Sequence, residues 1–224
     1  FSVSPRRGGR LPELDDLDVL EWIGRLMARL HDVGARQPFV HRPALNLNSF
    51  GTEPLEWLLR HDAVTPGQRG EWEQVCRDML ARIAAHPAHI RTHGDCHPGN
   101  ILWTPGEGEG AGPHFVDLDD ARTAPAVQDL WMLAQGDRAQ RTLQLSAVLD
   151  GYEQVRPFDR RELALIEPLR SLRLLHYSYW LAQRVGDPAF RQAFAWFGSE
   201  DYWREQIVTL REQCEAMDED PLMV

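Results

Sequence analysis

The residues of this sequence with the most chemistry in them stand close together. His93-Gly94-Asp95-Cys96-His97-Pro98-Gly99-Asn100 brings two imidazoles, a carboxylate, a thiol and a carboxamide into one short stretch, and Val116-Asp117-Leu118-Asp119-Asp120 follows it. Asp95 and Asn100 are separated by four residues. That is the spacing of kinase-type loops, in which the Asp accepts or orients a hydroxyl proton and the Asn side-chain oxygen meets a metal ion. Such a loop needs a second carboxylate from a neighbouring strand. Asp117 ends an extended apolar segment, and a hairpin over Ile101–Leu118 folds it back towards Asn100. One or two carboxylates with phosphate oxygens and water is a set that Mg2+ accepts.

Each of these residues also has a plainer reading. An Asp or Asn in a loop is ordinarily a turn former, and it is the joint pattern that points to chemistry. Of Asp119 and Asp120, one helps at the metal while the other is a solvated or salt-bridged acid beside Arg122. His93 serves either as a base or, preferably, as a brace whose ring bonds backbone near Asp117. A zinc set of His93, Cys96 and His97 lacks a fourth ligand at customary spacing. Cys96 as a nucleophile has no partner in a recognisable order. Asp129, early in a helix that Pro125 opens, reads as a helix-dipole acid or as a buried carboxylate that accepts backbone N–H bonds from the catalytic loop.

The elements that must hold these residues are mostly helical. Asp15 and Asp16 stand where an N-cap belongs, and Leu17, Leu20, Ile23, Met27 and Leu30 follow at helical spacing up to Gly34. Residues 1–4 suit a short strand and 5–12 a connector. Residues 35–66 look irregular apart from a short helix near Leu55–Arg60, and a longer helix is expected over 68–85. Three short extended pieces surround the motif: 90–94, 101–103 and 114–118. Between the last two, Pro105–Pro113 is too rich in Gly to pack and reads as an exposed hairpin loop. Helices are expected over 126–135, 138–155, 160–185 and 199–216, with a frayed tail after Met217.

Composition bounds the rest. A chain of 224 residues with 43% hydrophobic and 26% charged residues is an ordinary globular one. A net charge of −10 excludes a general nucleic-acid binder, which needs a basic face, but not ATP, since a divalent cation reverses the local sign. Cys76, Cys96 and Cys214 suggest no disulfide framework, and a cytoplasmic protein is expected. No apolar run is long enough to cross a bilayer and no secretory signal is visible. The opening Phe1-Ser2-Val3-Ser4, without Met, reads as the middle of a longer protein.

The two motifs resemble those of the aminoglycoside-phosphotransferase-like kinases and, within them, the bacterial stress response kinase A family. The likeness is carried by Gly8-Gly9-Arg10, Phe39-Val40-His41-Arg42-Pro43, the segments His93–Trp103 and Phe115–Arg122, Pro125–Leu133, Ile166–Arg170, Asp187–Phe190 and Glu200–Trp203. It implies an α+β, mostly helical chain: the C-terminal lobe of a kinase-like fold, with a small β-hairpin carrying the metal site. Residues 1–12 would be hinge strand and linker and 13–224 the lobe, with catalytic loop 93–100, metal-binding hairpin 101–120 and helical subdomain 125–216. It implies a monomeric Ser/Thr protein kinase of the stress response that uses ATP and Mg2+ and has neither nucleic-acid nor membrane partners. A small-molecule kinase acting on an aminoglycoside, choline or homoserine, or a non-catalytic nucleotide-binding module, is the alternative. By resemblance, Asp95 is the catalytic Asp, Asn100 and Asp117 bind Mg2+, and Asp129 anchors the loop that His93 braces. The nucleotide would lie against Phe1, Val3 and Leu102 together with Asn100 and Asp117. The family's N-terminal lobe, with its ATP-binding Lys, is not supplied by these residues, so they are expected to transfer phosphate poorly by themselves. Departures are Gly94 where many kinases have Arg, Val-Asp-Leu-Asp in place of Asp-Phe-Gly, and the longer Gly106–Gly112 loop.

Overall fold

A computed structural model describes Arg6, residues 8–86, residues 90–106, Gly108 and residues 110–224. The strand expected over residues 1–4 lies outside the described residues. In chain order the helices are α1 (Leu17–Gly34), α2 (Glu53–Arg60), α3 (Arg69–Arg82), α4 (Val127–Leu130), α5 (Arg138–Glu153), α6 (Ile166–Ala182), α7 (Pro188–Ala193) and α8 (Glu200–Met217). The strands are β1 (Ile90–Thr92), β2 (Ile101–Thr104), β3 (Gly112–Phe115) and β4 (Arg122–Ala124). The chain divides into two compact units, one of residues 1–44, 87–163 and 222–224, the other of residues 45–86 and 164–221. Residues 125–163 fall in the first unit and 164–216 in the second.

The first unit holds all four strands. Its α1 starts where Asp16 accepts the backbone N–H groups of Asp18 and Val19, a side-chain cap for two otherwise orphaned donors. Leu20, Ile23 and Met27 recur on one face of α1 and are fully buried. Burying each such side chain contributes roughly 1.5–3 kcal/mol. The partner helix is α5, opened by a reciprocal capping box between Asp137 and Gln140. The two helices meet backbone to backbone: a Cβ on Gly24 would sit 1.9 Å from the Val148 carbonyl oxygen, and one on Gly151 1.8 Å from that of Glu21.

The strands form two separate antiparallel pairs. In one, β1 pairs with β4, Ile90 opposite Ala124 and Thr92 opposite Arg122. In the other, β2 pairs with β3, Ile101 opposite Phe115 and Thr104 opposite Gly112. The second pair is the expected hairpin, but β3 ends at Phe115, and residues 118–120 form a 3-10 turn where strand was expected to continue to Leu118. Arg10 exchanges backbone hydrogen bonds with Trp103 on the open side of β2. The tail is docked rather than frayed: Leu222 is buried and the Val224 carbonyl accepts a bond from Arg160.

The second unit is helical. Residues 48–52 wind as one π-helical turn into α2, within a stretch that Pro and Asn residues make look irregular. Leu55, Leu58, Trp72, Val75, Met79, Leu175, Trp203, Ile207 and Leu210 form its core, where Trp72 meets Trp203 edge to face at 5.3 Å. The expected helix 68–85 stops at Arg82 because Ile83 turns extended. The expected 160–185 resolves into a 3-10 segment, Arg160–Leu165, followed by α6. Among the described residues no helix is long and apolar enough to cross a membrane.

Candidate active site

The first unit builds the site from the end of one β ladder. From Thr92, the last residue of β1, the chain enters the loop His93–Asn100; the partner strand β4 is reached through the turn Asp117–Ala121. The loop and the turn are therefore neighbours. Gly94 shows how close they lie: its φ is +87°, and a Cβ there would sit 2.2 Å from the Asp120 carbonyl oxygen. Only Gly fits both conditions, which accounts for the missing Arg.

The loop is held by one buried carboxylate. Asp129 on α4 has no exposed surface. Its Oδ2 accepts the backbone N–H of His93 at 2.7 Å, and its Oδ1 accepts that of Gly94 at 2.8 Å. His31 of α1, also fully buried, reaches Oδ2 through Nε2 at 2.9 Å, while its Nδ1 lies 3.0 Å from the Tyr152 hydroxyl of α5. All these groups are satisfied if Nε2–H donates to Asp129 and the Tyr152 O–H donates to Nδ1, a tautomer assigned from the network. Burial pushes the Tyr152 phenol above its ordinary range, so it stays a donor. Gln128 adds a bond from its amide to the Gly94 carbonyl. Sequence reading passed over His31, Gln128 and Tyr152. The available signal was a His and a Tyr on the apolar stripes of α1 and α5.

The His93 ring lies across the loop. Its Nε2 donates to the Val116 carbonyl at 2.8 Å, and its Nδ1 faces the Asp95 N–H at 3.4 Å. Both nitrogens face backbone partners, one in the hairpin and one in the loop. Asn100 is almost buried and donates its amide N–H to the Asp95 carbonyl at 2.9 Å. The Val116 N–H in turn bonds the Asn100 carbonyl. His97 caps the short 3-10 turn Pro98–Asn100, with Nε2 3.6 Å from the Asp95 carboxylate.

Asp117 is exposed and has φ 61° and ψ 70°, the left-handed region that costs a non-Gly residue about 1–2 kcal/mol. The carbonyls of Asp119, Asp120 and Ala121 are held by guanidinium groups. Arg42 donates to Asp119 at 2.5 Å and to Ala121 at 2.9 Å, and Arg122 donates to the Asp120 carbonyl at 2.8 Å. Arg122 also pairs with the Asp120 carboxylate at 2.6 Å, so Asp120 is the salt-bridged acid of the pair and Asp119 the exposed one. Leu102 lies half-buried in β2, where a Cβ on Gly9 would come 2.7 Å from its own Cβ. Phe1 and Val3, the other expected nucleotide contacts, lie outside the described residues.

The thiol readings do not fit this geometry. Cys96 is fully buried, and burial, reinforced by the charges of Asp129 and Asp95, raises its pKa well above the usual thiol value. A neutral, enclosed thiol is neither a nucleophile nor a zinc ligand. Among the described residues no three His, Cys, Asp or Glu side chains gather as a metal cluster.

The comparisons with known proteins place this chain among phosphotransferases. The model of the phosphotransferase enzyme family matches residues 1–166. Stress response kinase A of Escherichia coli K12 is 42% identical over 228 aligned positions, which take in 100% of this chain and 68% of that protein. The serine/threonine protein kinase RdoA of Salmonella typhimurium LT2 matches at 42% with the same coverage. Among solved structures, an amicoumacin kinase in complex with AMP-PNP, Ca2+ and Ami superposes with a TM-score of 0.66 at 18% identity, covering 98% of this chain and 65% of that one. An AMP-bound spectinomycin phosphotransferase gives 0.58 at 12%, covering 96% and 71%. The chain thus spans about two thirds of the length of the proteins it matches. It belongs to the phosphotransferase enzyme family and, within it, to the stress response kinase A family.

Proposed function

We propose that these residues are the catalytic-loop portion of an ATP- and Mg2+-dependent Ser/Thr protein kinase of the cytoplasmic stress response, acting as a monomer. The observation that carries the reading is the double tie of the loop. Asp129 holds the His93 and Gly94 N–H groups at one end, and Asn100 bonds the Asp95 carbonyl at the other. Asp95 is thereby held on a fixed backbone, as a residue that must meet an incoming hydroxyl requires. In this role its carboxylate orients the Ser or Thr hydroxyl and takes up its proton as the phosphoryl group transfers. The kinase names of the 42%-identical relatives support the protein-directed form of the reaction.

The donor set fits Mg2+. Asn100 offers a carbonyl-type oxygen because its nitrogen is committed to Asp95, and Asp117 offers a carboxylate that caps no helix. Both are hard oxygen donors, too few to cage the ion alone and suited to one that arrives on nucleotide phosphates. The ion would neutralise charge on the transferring phosphoryl group. His93, the turn carbonyls and the two arginines keep Asp117 near Asn100. All 24 Lys-plus-Arg positions are Arg, so none of these 224 residues is the phosphate-pairing strand Lys of kinase chemistry.

The test uses the full-length protein. Autophosphorylation and phosphorylation of a generic protein substrate should depend on ATP and Mg2+, disappear on chelation and be abolished by Asp95→Asn. Rapid turnover of small alcohols such as choline, homoserine or an aminoglycoside, with no transfer to protein, would overturn the reading.

A further inference from the structure

The segment Phe39-Val40-His41-Arg42-Pro43 has only one duty in the site described so far, the hold of Arg42 on the turn. Its other features point outward. Val40 is 86% exposed, and His41 and Arg42 are exposed as well. The Phe39 ring is half-buried and has a guanidinium near it twice over: Arg42 at 5.7 Å from the ring centroid, and Arg91 of β1 at 5.5 Å. The Phe39 N–H bonds the Thr123 hydroxyl on β4, which fixes the ring to the same ladder. Among the described residues neither Arg42 nor Arg91 makes an ion pair. Arg42 spends one nitrogen on two carbonyls, and Arg91 makes a single bond of 3.2 Å to the Val33 carbonyl. In a chain of net charge −10, two guanidinium groups beside one aromatic ring, neither in an ion pair among the described residues, stand out.

Their place gives them meaning. Arg42 touches the turn that abuts Gly94 of the catalytic loop. Arg91 precedes Asp95 by four positions, about 13 Å at most along an extended chain. An extended peptide covers that span with about four residues. The exposed Val40 offers apolar contact to such a peptide, and the guanidinium forks offer paired N–H donors that match a carboxylate.

We propose that Phe39, Arg42 and Arg91 form a docking platform for acidic protein segments, selecting substrates with Asp or Glu within about four positions of the acceptor hydroxyl. The inference rests on the protein-kinase reading above and narrows it to a substrate class. It also disfavours cationic acceptors, since a polyamine or quaternary ammonium would meet two positive charges.

Fluorescence anisotropy with labelled Ser-containing peptides tests it on the full-length protein, without recourse to catalysis. A peptide with Glu on both sides of the Ser should bind, and the same peptide with Gln or Arg in those positions should bind weakly or not at all. Binding of the acidic peptide should fall as salt rises. Arg91→Gln should weaken it about three- to tenfold, and Arg42→Gln by at least as much. A thermal melt of each variant checks folding, and the charge swap within the peptide gives a comparison on unaltered protein. Equal binding of acidic, neutral and basic peptides would overturn the proposal. So would displacement of the acidic peptide by ATP with Mg2+, because the arginines would then belong to a nucleotide site. The two readings fail differently. A full-length enzyme that phosphorylates proteins with no preference for acidic neighbours sinks only the platform, whereas one that phosphorylates only small alcohols sinks the kinase assignment.

Discussion

Replacing Asp129 by Asn keeps shape and volume but removes one acceptor, and its cost can be worked out from the contacts. Oδ2 takes two donors, His93 N–H and His31 Nε2, while Oδ1 takes one, Gly94 N–H. The amide does best by leaving its oxygen at the doubly bonded position, which turns its NH2 against the Gly94 N–H. Two donors then face each other in a site without solvent, at about 1–3 kcal/mol. The two surviving bonds lose their charge assistance, together about 1–2 kcal/mol more. The expected penalty is about 2–4 kcal/mol, because Gly94 can give way a little. Amide hydrogen exchange is the sharpest assay, since the penalty falls on two named N–H groups. Exchange at His93 and Gly94 should quicken about 30- to 1000-fold, with the melting temperature lowered. Asp119→Asn, at an exposed carboxylate two residues from Asp117, serves as the control and should change neither. Unchanged protection at His93 and Gly94 in Asp129→Asn would refute the reasoning, whatever happened to the melting temperature.

Other outcomes follow from the same geometry. Gly94→Ala adds a Cβ 2.2 Å from the Asp120 carbonyl at a φ of +87°; a loss of about 2 kcal/mol or more is expected in denaturant titration, together with loss of phosphoryl transfer in the full-length enzyme. Trp203→Ala empties the centre of the helical core and should cost about 3–5 kcal/mol by the same titration. Cys96 should resist a thiol reagent in the native state and react on unfolding, being enclosed and protonated; fast native labelling would contradict its placement. Stability should decline with pH above about 9, the ordinary thiol value. Buried Cys76 and Cys96 keep their protons in the fold while the unfolded chain gives them up, so the native state binds more protons and loses ground as pH rises. Denaturation midpoints between pH 7 and about 10.5 check the sign, and Cys96→Ala should flatten the slope.

The parts of the site that can be read from sequence are those that local spacing encodes. Asp95, Asn100 and Asp117 are set by a short loop and a hairpin, and His93 has its partner, Val116, within that hairpin. The α1 and α8 helices were likewise legible, since their apolar residues recur at helical period and Asp16 and Ser199 cap them. What escaped depends on the fold bringing distant residues together. His31 and Tyr152 show in the sequence only as polar residues on apolar stripes, and their shared partner Asp129 emerges when α1 and α5 meet beside α4. Strand β4 is three residues long, Arg-Thr-Ala, without apolar alternation, and is a strand only because β1 lies alongside. The helix expected over 126–135 breaks after Leu130 into a 3-10 turn, which an apolar run of that length does not reveal. By contrast α7 had its signal in Asp187-Pro188, a cap followed by Pro in the first turn, and its shortness hid it.

The interleaving of the two units has a consequence for how the chain is made. The first unit is opened by residues 1–44 and resumed at 87, and the second is opened at 45 and resumed at 164. On the ribosome, then, α2 and α3 emerge before the catalytic loop and wait, with Trp72 and Met79 unburied, until α6 and α8 have been synthesised. The loop itself is complete at Asn100 but stays slack until Asp129, and then Tyr152, arrive. Its order therefore comes late in synthesis, and a ribosome stalled before Asp129 would carry Asp95, Asn100 and Asp117 without the carboxylate that ties the loop.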